Sequence, residues 1–156
     1  MLSLELIFYA YLFALCIHVV DEYNTSGGFI NWVRENFYAD YNEKKFIAGN
    51  GIAFILHLTF TLIYAAYQGN YFILPLFTAS VFTFNGIAHL ISTVRRNRHS
   101  PGLLSSPIYW LLMFFIIKDH LVTGELSLNY FLPGLIIGAI LGLGMFSLFN
   151  LAKFKK

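Results

Sequence analysis

The stretch LSLELIFYAYLFALCIHVVDE, residues 2–22, is apolar over most of its length and then delivers an imidazole and two carboxylates within five residues: His18, Asp21 and Glu22. The run from Leu2 to Val20 is long enough to cross a bilayer as a helix, which takes roughly 20 residues at about 1.5 Å each. Positions i, i+3 and i+4 of a helix share a face, so His18, Asp21 and Glu22 all aim at one spot near a membrane surface. Glu5 lies roughly 25 Å away along the same helix and belongs to the opposite surface. The run has no basic leader and no small-residue cleavage site, which predicts a retained helix rather than a signal peptide.

Composition agrees with that reading. Of 156 residues, 58% are apolar and 12% charged, and the mean hydropathy is +0.65. A soluble domain carries about twice that share of charge. The chain is expected to be one integral membrane domain over residues 1–156, an all-α polytopic bundle of transmembrane helices. The net charge of +2 does not point to nucleic acid, because the basic residues flank apolar runs instead of forming a face. The single cysteine, Cys16, cannot form an intrachain disulfide and reads as a small packing residue.

Working outward, five spans are expected, over about 2–20, 46–67, 71–94, 107–122 and 126–151. Between the first two, Phe29, Ile30, Trp32, Val33, Phe37 and Tyr38 alternate with Asn31, Arg34, Glu35 and Asn36. This pattern predicts a short amphipathic helix lying along the membrane, with Trp and Tyr at headgroup level. The uncharged turn Gln68-Gly69-Asn70 makes spans two and three antiparallel neighbours. Ser106-Pro107 reads as a helix start, serine as cap and proline at the first helical position. The Asn24-Thr25-Ser26 sequon is discounted, because the topology puts it inside.

Lys and Arg set the orientation. One side carries Arg34, Lys44, Lys45, Arg95, Arg96, Arg98, Lys153, Lys155 and Lys156, and the other only Lys118. A multi-pass cell-membrane protein follows, N-terminus outside and C-terminus cytoplasmic. His18, Asp21 and Glu22 then share the cytoplasmic leaflet with Asn50, with Asn85 and His89 (i, i+4 on span three) and with the turn His99-Ser100-Pro101-Gly102. Ionisable groups inside a membrane mark either a site or a satisfied polar pair. His57, deeper and isolated, reads as a packing residue bonded to a carbonyl, and His99 as part of the basic loop. Glu5 and Lys118 are expected to pair across the outer surface.

The pattern His18-x-x-Asp21-Glu22, then Asn85-x-x-x-His89, then Ser100-Pro101-Gly102-x-x-Ser105 resembles the HXXEE family of small integral membrane proteins in motif order, spacing and length. The chain departs from the family pattern with Asp21 where the family's name has Glu, and with Gly86 where alanine is usual. The resemblance implies a membrane protein whose polar motifs suggest an enzyme, and it implies no substrate.

Three function classes stay open. The first is a membrane-embedded enzyme, a metal-dependent hydrolase or lipid-modifying enzyme acting on a lipid or isoprenoid-like molecule from the bilayer. His18, Asp21, Glu22, Asn85 and His89 are its candidate catalytic residues, and His18, Glu22 and His89 could hold zinc or a similar divalent metal. Without a metal, His18 or His89 serves as general base, Glu22 orients it, and Asn85 with the backbone near Gly102 stabilises developing charge. Ser92, Ser100 and Ser105 are candidate nucleophiles by depth alone. The second class is a proton-coupled transporter with His57 in a relay, although polar groups crowd one leaflet and no inverted repeat is visible. The third is a structural or assembly protein whose polar motifs are interhelical glue. Gly134, Gly138 and Gly142 would give it a flat face for close packing within the chain or for a homo-oligomer.

Overall fold

The computed structural model describes residues 2–25, 28–67 and 69–153, with the backbone alone for 145–153. Ser26, Gly27, Gln68 and the last three residues, including Lys155 and Lys156, lie outside the described residues, and with them parts of the sequon, the Gln68 turn and the basic tail.

Six α-helices follow in order: α1 (Leu4–Asn24), α2 (Phe29–Asn36), α3 (Glu43–Ala66), α4 (Ile73–Arg96), α5 (Ser106–Ile116) and α6 (Leu128–Lys153). No strand occurs among the described residues. Three of the helices, α1, α3 and α4, are long and apolar enough to cross a membrane. Much of their outer surface is apolar and open: Phe13 is 75% and Val94 74% exposed, a pattern that suits lipid and not water.

Helix α1 runs four residues beyond the expected Val20, so His18, Asp21 and Glu22 all sit on regular helix. Its start is capped by Ser3, whose hydroxyl accepts from the Leu6 amide, and α3 starts likewise on Asn42, which accepts from the Lys45 amide. Helix α5 is shorter than a span and passes without a break into π-helical Ile117–Leu121. Ser106 is its first helical residue, and the preceding Ser105 makes no cap bond, so the cap is not where the Ser-Pro signal put it. The hydroxyl of Ser106 turns back to the Gly102 carbonyl instead, at 2.7 Å.

The core lies between α1, α4 and α5, where Ile7, Phe8, Tyr11 and Leu15 meet Leu76, Ala79, Phe82, Tyr109, Met113 and Ile116. Helix α6 packs along α4 through the glycine face. A side-chain carbon at Gly134 would touch Leu76, one at Gly138 would overlap Ser80, and one at Gly142 would press on Val81 and Phe84. Within the chain, that face is the seat of α4.

Helix α2 forms between α1 and α3, where a short amphipathic helix is expected. Trp32 and Val33 are buried with Phe37 in a small cluster of their own, and the Arg96 guanidinium lies over the Trp32 and Phe37 rings while donating to Asn36 at 2.7 Å. Trp32 therefore anchors α2 to the end of α4. Arg98 and Glu35 add an exposed ion pair at 3.1 Å. Cys16 is exposed, so it faces outward and is not a packing residue. Lys118 pairs with its neighbour Asp119 at 3.6 Å, and no ion pair joins it to Glu5.

Candidate metal centre

The end of α1 nearest α2 brings two elements to it. Helix α4 supplies Asn85 and His89 one turn apart, and the loop from Asn97 to Ser105 supplies Ser100, Gly102 and Ser105. His18, Glu22 and His89 are all buried, at 2%, 4% and 0% exposure. One carboxylate oxygen, Oε1 of Glu22, lies 3.4 Å from Nε2 of His18 and 3.3 Å from Nε2 of His89. The potential ligand atoms of the three residues all fall within 4.8 Å of one another, so the group could hold a metal ion.

What lies behind the rings decides which nitrogens face the centre. Nδ1 of His18 is 2.8 Å from the Ser105 hydroxyl. That hydroxyl has one proton, and it lies 2.8 Å from Oδ2 of Asp21 and 3.1 Å from the Gly102 carbonyl, both of which can only accept. Ser105 therefore gives its proton away and accepts from His18, so Nδ1 carries the hydrogen. In neutral His18 the lone pair on Nε2 then points at Glu22. On His89 the corresponding contact is Nδ1 to the Ser100 hydroxyl at 3.0 Å. A lone pair facing a carboxylate oxygen is repulsive unless a proton or a cation lies between them.

Asn85 closes another side. Its Nδ2 is 3.2 Å from Nε2 of His18 and 3.3 Å from Nε2 of His89. Half a turn of the amide would put Oδ1 in its place, a neutral oxygen suited to a cation or to a bound water.

Asp21 is not in the cluster. It accepts from the Ser105 amide at 2.9 Å, the Ser105 hydroxyl at 2.8 Å and the Thr25 hydroxyl at 2.6 Å. Its contribution is to orient Ser105, and through it the His18 ring, the arrangement by which outer carboxylates set the tautomer of ligand histidines. The same contacts count against Ser105 as a nucleophile, because its proton goes to Asp21 and not to a histidine. Ser92 makes no hydrogen bond to the cluster.

Gly102 is the cradle. Its φ is +91°, and a side-chain carbon there would stand 2.8 Å from Cε1 of His18, 2.9 Å from Cγ of Glu22 and 3.0 Å from Nε2 of His89. No residue but glycine fits, on conformation and on space.

The remaining histidines lie apart. His57 binds the Thr78 hydroxyl through Nδ1 and the Phe8 carbonyl through Nε2 at 2.9 Å, as expected of a packing residue. Asn50 reaches back to the Phe46 carbonyl at 3.1 Å, its amide turned to its own helix. His99 is half-buried on the loop.

Next to the cluster is a cavity of about 180 Å³, walled by Leu15, Phe46, Gly49, Ala53, Val81 and Phe82 and lined also by the polar His18, Glu22, Asn50, Asn85, Tyr41 and Tyr109. Burial, and then the Glu22 carboxylate, push the Tyr41 hydroxyl up to about 12, so it remains a protonated donor at neutral pH. Phe29 of α2 roofs the cluster, its ring 5.9 Å from His89. Tyr41, Phe29 and Tyr109 carry no signal in the sequence that marks them for this site.

The sequence model of one family, described as "Protein of unknown function with HXXEE motif", matches residues 9–117. That range holds every residue of the cluster. No curated protein and no solved structure matches the chain.

Proposed function

The chain belongs to the HXXEE family of proteins, and from that premise we propose that it is a membrane-embedded, metal-dependent enzyme that hydrolyses or otherwise modifies a lipid or isoprenoid-like substrate. The supporting observation is the pair of distances from Glu22 Oε1 to the two Nε2 atoms, 3.4 and 3.3 Å. Tetrahedral zinc with ligands at about 2.0–2.1 Å sets its ligand atoms about 3.3–3.4 Å apart. The His18 lone pair aimed at a carboxylate oxygen favours a cation between them, and two imidazoles with one carboxylate form a recurrent catalytic set that leaves a position for water.

In this reading a divalent metal supplies the acidity that makes a bound water nucleophilic near neutral pH. His18, Glu22 and His89 hold it, Ser105 and Asp21 fix the His18 ring, Ser100 fixes His89, and Asn85 holds the water or the substrate oxygen. For an ester substrate, the water oxygen bonds to the carbonyl carbon, the ester C–O bond breaks, and the leaving alcohol takes up the proton.

The setting is a multi-pass protein of the cell membrane with five spans: α1, α3, α4, α5 with its π turn, and α6. The excess of Lys and Arg at one end of these helices supports a cytoplasmic position for the cluster and an outside N-terminus.

Elemental analysis of the protein purified without chelators tests the reading. About one equivalent of a divalent metal is expected, falling below a tenth in His18→Ala and in His89→Ala while the helical circular dichroism stays unchanged. A metal-free wild type would leave a protonated histidine bound to Glu22, which is interhelical glue.

A further inference from the structure

Asn85 reaches the same two ring nitrogens as Glu22, yet the metal reading gives it no bond to the metal. Its Nδ2 stands 3.2 Å from Nε2 of His18 and 3.3 Å from Nε2 of His89. Oε1 of Glu22 stands 3.4 and 3.3 Å from the same two atoms. Four ligands at about 2.0–2.1 Å around a tetrahedral zinc have edges of about 3.3–3.4 Å. All four edges that join Glu22 and Asn85 to the histidines are therefore close to that length, and the amide takes a place that matches the carboxylate's.

Packing of three helices fixes that place. A side-chain carbon at Gly142 of α6 would stand 3.1 Å from the backbone nitrogen of Asn85, and one at the neighbouring Gly86 would stand 3.0 Å from Ser106 of α5. Helix α4 is thus clamped on both sides at this turn. Such a clamp suits a ligand, because first-shell groups must be held within about 0.5 Å of their working positions. At the other end of the side chain, the hydrogen-bond contacts run from Nδ2 to the two rings. The amide can therefore turn over about its last bond without giving up a partner elsewhere among the described residues.

What lies between the rings decides which end of the amide faces them. Without a cation, Nδ2 has hydrogens to offer a ring nitrogen's lone pair. With a cation there, those hydrogens point at a positive charge, whereas Oδ1 offers it lone pairs. We infer that Asn85 is the fourth ligand of the resting centre, its Oδ1 joining Oε1 of Glu22 and the two Nε2 atoms on the metal. The inference rests on the metal reading of the proposed function and adds to it a ligand set of two imidazoles, one carboxylate and one neutral amide oxygen. Zinc prefers imidazole to a carbonyl oxygen, and the amide lacks the carboxylate's charge. Asn85 is therefore the ligand that water or a substrate oxygen displaces, and its Nδ2 is then free to hold what took its place.

Zinc affinity of the full chain in detergent, and the visible spectrum of its Co(II)-loaded form, test the inference in Asn85→Asp and Asn85→Leu, with circular dichroism on the same samples. Asn85→Asp keeps an oxygen at that corner and adds a charge, so it should bind zinc at least as tightly as the wild type. Asn85→Leu has similar size and no donor atom, so it should bind zinc at least tenfold more weakly and shift the Co(II) bands. Wild-type affinity and an unchanged Co(II) spectrum in Asn85→Leu overturn the ligand and leave Asn85 beside the metal, holding water. A tenfold loss in Asn85→Asp also overturns it, because that is the mark of a lost N–H donor. A wild type that takes up neither zinc nor Co(II) sinks the metal reading together with the ligand, a result distinct from the other two.

Discussion

His57 and His89 are both 0% exposed, and His89 is on a helix that packs against the one carrying His57. They are nevertheless different objects. Both nitrogens of His57 are used within the bundle, by the Thr78 hydroxyl and the Phe8 carbonyl. His120, at the far end, is used up in the same way by Glu125 at 2.7 Å and the Leu2 carbonyl at 3.0 Å. A ring with both nitrogens matched is a pin between helices. His18 and His89 have their Nδ1 atoms matched to serines and turn Nε2 towards a shared carboxylate and the Asn85 amide. Burial alone does not separate a site from a pin; the second nitrogen's partner does.

This contrast can be broken from either side. His57→Ala should have the largest effect on stability, about 3–5 kcal/mol, because it leaves a cavity and removes the bonds to the Thr78 hydroxyl and the Phe8 carbonyl. Denaturant unfolding reads that loss, and metal content in the folded fraction should not change. A loss of metal in His57→Ala would merge the two regions into one. Gly102→Ala should cost about 1–2 kcal/mol for its left-handed backbone. It should also cut metal affinity tenfold or more, since the new carbon lands among His18, Glu22 and His89. Competition with a chromophoric chelator measures that affinity, and full affinity in Gly102→Ala would show that the loop yields and is no cradle. Asp21→Asn should do least, about a tenfold fall in metal affinity with little change in stability, because it acts on His18 only through Ser105. A complete loss of metal in Asp21→Asn would make Asp21 a ligand.

Much of the fold can be read from hydrophobic runs. The apolar stretches place α1, α3 and α4 within a few residues of their observed ends, because a helix that hides its backbone from lipid must be long and apolar throughout. The pattern fails where tertiary contacts override it. Nothing in the pattern around Trp32 shows that Arg96, 64 positions further along the chain, comes to lie over its ring. Helix α5 stops at Ile116 and widens into a π turn that carries Lys118, Asp119 and His120, polar residues that end the apolar run without showing which kind of helix follows. Cys16 lies in an apolar stretch where inward and outward positions look alike, since lipid and core favour the same side chains.

The residues of the candidate site divide along the same line. Within one helix the spacing alone is enough: His18 with Glu22, and Asn85 with His89, are each one turn apart, and helical geometry makes such pairs neighbours wherever the helix goes. Which pairs meet, and through which atoms, was decided by the packing of α1 against α4 and by the loop that Gly102 presses between them. That packing turned Asp21 away to Ser105 and enlisted Ser100 behind His89. Sequence spacing controls direction along an element, but hydrogen-bond partners 87 and 67 residues apart, as His18 has in Ser105 and Asn85, are set only when the helices close on one another.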